Sequence, residues 1–65
     1  MWVEFMTVRN AYVAETWREL FAAEGLSVRV VPPIGYGEKA SLRDERTLCV
    51  PAGKAHVARE ILRKI

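Results

Sequence analysis

The sequence predicts a small α+β domain with the element order β-α-β-β-α. Three observations carry that prediction. The first residues alternate between two faces, as a half-buried strand does. Two later stretches place apolar residues at helical spacing, the first between an Asn and a Gly that suit the ends of a helix. Two short runs rich in Val, Thr and Leu are each closed by proline.

Trp2 to Val8 is the first strand, with Val3 and Phe5 on the core side and Glu4 marking the other side. Asn10 then stands where a helix N-cap belongs, its side-chain oxygen able to accept from a free N–H of the first turn. Val13, Trp17, Leu20 and Phe21 form the apolar stripe, with Ala14 at its edge, while Glu15, Arg18 and Glu19 fall opposite. Gly25 ends the helix, because a left-handed residue is needed there and glycine tolerates it best.

Leu26 to Val31 is the second strand, stopped by Pro32 and Pro33, which cannot donate to a central ladder and therefore suit a sheet edge. From Pro32 to Glu45 no period is visible, and the segment reads as a long flexible loop. Arg46 to Val50 is the third strand, closed by Pro51. The last helix runs from about Ala52 to Ile65, with Ala55, Ala58, Ile61, Leu62 and Ile65 inward and an i,i+4 pair of Glu60 and Lys64 outside.

A strand-helix-strand unit crosses over right-handed, so the first two strands run parallel. The third slots between them, antiparallel to both. This gives a three-stranded mixed sheet with two helices on one face, a truncated ferredoxin-like fold lacking its last strand. On strict alternation the other face carries Trp2, Glu4, Met6, Arg29, Val31, Thr47 and Cys49. An apolar patch of that kind marks an interface. Trp2, Met6, Val31 and Cys49 are therefore the expected interface residues, and a homodimer or higher oligomer, formed through this face or by edge pairing, is the expected assembly.

Composition narrows the function. The 65 residues form one domain, 51% hydrophobic and 28% charged, with a formal charge of +2. A core this small supplies only about 3–5 kcal/mol, and self-association is one form of extra support. Cys49 is the only cysteine, so no internal disulfide forms. With His56 as the single histidine, no zinc spacing exists, and neither a metal nor a cofactor is expected. No catalytic set is visible, which argues against an enzyme.

Glu4 and Arg9 interrupt the N-terminal apolar stretch, so no signal peptide is read there. No apolar run approaches membrane-spanning length, and a cytoplasmic location with no membrane partner is the expectation. The absence of a basic run argues against nucleic acid. Weak RNA binding through the sheet would need more aromatics than Trp2 on that face.

The segments TVRNAYVAETWRELFAAEGLSVRV and LCVPAGKAHVAREIL resemble the prokaryotic signal-transducing protein family, a group of small bacterial PII-like domains without an assigned role. Leu20, Glu24, Gly25 and Leu26 match its first segment; Val50, Pro51, Ala58, Ile61 and Leu62 match its second. Ala52, Gly53 and Lys54 depart from it, standing where that family commonly has acidic residues. The resemblance implies a non-enzymatic regulatory or protein-interaction module and carries over no catalytic residue.

An alternative centres on the loop. Gly35 and Gly37 flank Tyr36, and Lys39, Arg43 and Arg46 lie close in sequence. A Tyr held between glycines beside three cations suits a small anionic ligand such as a nucleotide, bound through residues 33–46. PII-type proteins carry a long loop, so the resemblance points the same way.

Overall fold

The structure is a computed structural model that describes residues 1–32 and 41–65. Five principal elements follow the expected order: β1 (Trp2–Val8), α1 (Ala11–Ala23), β2 (Arg29–Val31), β3 (Arg46–Pro51) and α2 (Ala55–Arg63), the last preceded by a 3-10 turn over Ala52–Lys54. Among the described residues the sheet has three strands in the order β1-β3-β2. Both ladders are antiparallel. The outer strands run in the same direction but do not pair, so the sheet is antiparallel in all its hydrogen bonding rather than mixed.

The first helix forms as its end residues dictate. Asn10 is extended and accepts from Val13 N at 2.9 Å, while Ala11 N donates to Leu42 O at 3.0 Å. Two otherwise free N–H groups of the first turn are thereby satisfied. At the other end Gly25 adopts φ 86°. Gly25 N donates to Ala22 O and Leu26 N to Phe21 O, both at 2.9 Å. This is a Schellman closure, and its usual apolar contact is present, since Leu26 and Phe21 lie buried in one cluster.

Leu26 is therefore the seal on the helix end rather than the start of a strand, and β2 is only three residues long. The C-terminal helix is also shorter than its periodicity suggests. No side chain caps it, and Ala52–Lys54 winds as a 3-10 turn before the α-helix begins. Lys64 is its C-cap residue, so Glu60 pairs with Arg63 at 3.0 Å instead of with Lys64. Ile65 lies past the last turn and is exposed rather than in the stripe.

The core sits between the sheet and the helices. Phe21, Leu26, Val50, Ala58 and Ile61 form one buried cluster; Val8, Ala14 and Leu48 form a second. Phe21 is its pivot. Phe5 meets it edge-on at 6.1 Å and Trp17 lies tilted against it at 5.9 Å. Fully burying side chains such as Phe21, Leu48 and Val50 contributes roughly 1.5–3 kcal/mol each. Residues of both helices pack into the cluster around Val50, so both helices lie on one face of the sheet.

One irregularity changes the facing of β1. Glu4 pairs with Cys49 and Met6 with Leu48, which leaves Phe5 as an extra residue in a bulge. Past that point the alternation is reset. Met6 packs against both core clusters, and Val8 is buried. The expectation that Met6 faces away from the helices is thus corrected, because one inserted residue moves every later side chain of the strand to the opposite face.

Candidate functional site: the uncovered sheet face

With Arg46, Leu48 and Val50 directed to the helices, alternation along β3 sends Thr47, Cys49 and Pro51 the other way. Cross-strand partners complete that face in three rows. Trp2 stands beside Pro51. Glu4 and Arg29 flank Cys49 on its two sides. Thr7 and Val31 flank Thr47. Among the described residues no helix or strand covers these rows. Three of the four residues expected at an interface, Trp2, Val31 and Cys49, are brought together here, and Met6 is not.

Two of the side chains lean inward over the middle strand. The outer strands are two strand spacings apart, about 10 Å. Yet the Arg29 guanidinium lies 4.8 Å from the centroid of the Trp2 ring. The two can meet only by reaching toward each other across β3, where the cation is attracted to the face of the indole. Trp2 remains 39% exposed while Cys49 is only 7% exposed. Among the described residues, Cys49 is screened by neighbouring side chains and by no second layer. This burial pushes the Cys49 thiol pKa up; the negative charge of Glu4 adds to the rise and Arg29 opposes it. Such a thiol is a poor nucleophile. At the next row the Thr7 and Thr47 hydroxyls stand 3.5 Å apart.

The expected ligand-binding residues divide into described and undescribed ones. Tyr36 and Lys39, with Gly35 and Gly37, lie outside the described residues. Arg43 is exposed, whereas Arg46 is buried. Arg46 shares its face of β3 with Leu48 and Val50, and its guanidinium is turned back on the chain. Nη1 donates to Asp44 O at 2.8 Å and to Glu45 O at 3.0 Å; Nη2 donates to Ser41 O at 2.8 Å. Ser41 N donates to Asp44 Oδ2, Asp44 N to Ser41 O and Arg43 N to Ser41 Oγ, closing a tight turn over residues 41–44. Leu42 O reaches from that turn to the start of α1. Arg46 thus ties the entry to β3 against the first helix, with three of its donor contacts spent on backbone carbonyls.

Sequence reasoning placed Glu4 and Arg29 on this face but did not single them out. Their signal is the pairing of opposite charges at the two outer positions of one row, which becomes readable only once the register is known. The Ser41–Asp44 turn had a local signal, a Ser and an Asp three residues apart in a non-periodic segment.

Among the described residues no group of His, Cys, Asp and Glu is arranged to hold a metal ion, and no helix is long and apolar enough to cross a membrane. No protein-family profile, curated protein or solved structure matches this chain.

Proposed function

We propose that this chain is a non-enzymatic interaction module that works by self-association, in a regulatory setting of the kind its PII-like resemblance implies. The single observation that supports this is the sheet face that no described helix or strand covers, where Trp2, Val31, Cys49 and Pro51 are apolar and the row through Cys49 carries one charge of each sign. An uncovered face of this composition gains by removing its apolar area from water, at about 25 cal/mol per Å². Aromatic and Arg residues are also the types that anchor interfaces.

The test is the solution mass. Size-exclusion chromatography with light scattering at micromolar concentration is expected to give twice the chain mass. A single-chain mass throughout that range would overturn the reading.

A further inference from the structure

Deepening that reading, and resting on it, we infer that the partner of the sheet face is a second copy of this chain, stacked face to face about a two-fold axis that runs along β3.

The inference comes from where the two charges stand. Glu4, Cys49 and Arg29 occupy one row across the sheet, acid on β1, thiol on β3, base on β2. Neither Glu4 nor Arg29 forms an ion pair with a described residue. A closed pair of identical chains presents the same patch twice, so the patch must complement itself under the symmetry operation. A two-fold axis lying along β3 exchanges the left and right sides of the sheet. It sets Glu4 of one copy opposite Arg29 of the other, twice, with the two Cys49 residues astride the axis. The next row matches as well, because Val31 then faces the methyl-bearing Thr7 of the other copy.

The competing choice, an axis across the strands, fails on charge. Passing through this row, it stacks Glu4 on Glu4 and Arg29 on Arg29. Passing between rows, it sets Glu4 on Thr7 and Arg29 on Val31, burying both charges without partners. Like charges placed opposite each other, or charges desolvated without partners, oppose association in either case. Stacked sheets sit about 10 Å apart and rotate by about 30°. A residue one strand from the axis moves little under that rotation, so Glu4 stays opposite Arg29 of the other copy and meets it once that guanidinium swings out from its place over Trp2. The molecule's 32 × 23 Å broad side caps the footprint at about 700 Å² per copy, below the ~800 Å² per partner of a standard interface, so the proposed contact is a small one that depends on its charge complementarity.

Charge reversal tests the axis. Glu4→Arg sets a second guanidinium against Arg29 of the other copy, and Arg29→Glu sets two acids together. Each single variant is expected to raise the dimer dissociation constant by roughly tenfold to a hundredfold, read by sedimentation or light scattering on a dilution series. Mixing the two variants in equal amounts re-creates both opposite-charge pairs and is expected to restore association. The chain carrying both reversals is expected to dimerise as the unmodified chain does. Restoration in the mixture also shows that each variant is folded.

An unmodified chain that stays monomeric overturns the self-association reading and this inference together. A dimeric unmodified chain whose association is unchanged by either single reversal, or is not restored by mixing, overturns the axis alone.

Discussion

Arg46 and Cys49 are neighbours on β3 but face opposite sides of the sheet, and each is buried for a different reason. Arg46 spends its donors on carbonyls of Ser41, Asp44 and Glu45. Removing it takes this donor from the Asp44 and Glu45 carbonyls, leaves Ser41 O with Asp44 N alone, and loosens the turn that meets α1. Arg46→Ala is expected to cost about 2–3 kcal/mol in urea unfolding, and Arg46→Lys to recover only part of that, because an ammonium cannot reproduce the forked geometry. Cys49 titrates instead of bonding. Its pKa is raised in the native state above the ordinary value near 9.0. The unfolded chain therefore loses the proton first, binds fewer protons than the native chain, and is favoured as the pH rises. Stability linked to this thiol is present in full below the ordinary value and is lost as the pH climbs through the native one. The urea midpoint is expected to fall above about pH 9, and Cys49→Ala to flatten that fall.

At the scale of elements the bulge at Phe5 decides most. It places Met6 beside Leu48 among core residues and leaves Thr7 outward against Thr47. Met6→Lys is expected to lower stability by more than about 2 kcal/mol even in dilute solution, through a charge forced toward the core, while Thr7→Lys leaves the packing of the single chain within about 0.5 kcal/mol and acts instead on the proposed association. Thermal melts of the two variants distinguish this from strict alternation, which turns Thr7 inward with Val3 and Phe5 and Met6 outward and so predicts the reverse order. The order of elements was legible because Asn10, Gly25 and Pro51 act locally: a cap, a left-handed stop and a strand end need no distant partner. The two helix stripes were legible because periodicity reports burial directly, down to Phe21 and Ile61. The bulge was not legible, since Phe5 is an ordinary strand residue and only its register against β3 shows it to be extra. For the same reason Arg46 read as a free cation. A charge in a strand looks solvent-facing until the turn that it clamps is in place. Leu26 read as strand because an apolar residue after Gly25 fits both a strand start and a Schellman contact, and only the backbone bonds to Phe21 and Ala22 distinguish them.

For the molecule as a whole, the helices cover one side of a thin sheet, and the proposed occupant of the other side is a second copy of the chain. The doubled mass expected in solution and the paired charge reversals test that arrangement at successive levels, first whether copies associate and then in which orientation. The bulge bears on this too. β1 is a seven-residue strand whose outer edge pairs with no described strand. Straight, it would be a rail along which further chains could add without limit, as in fibrils. The bulge at Phe5 interrupts that rail partway along, so stacking of further chains on this edge is discouraged.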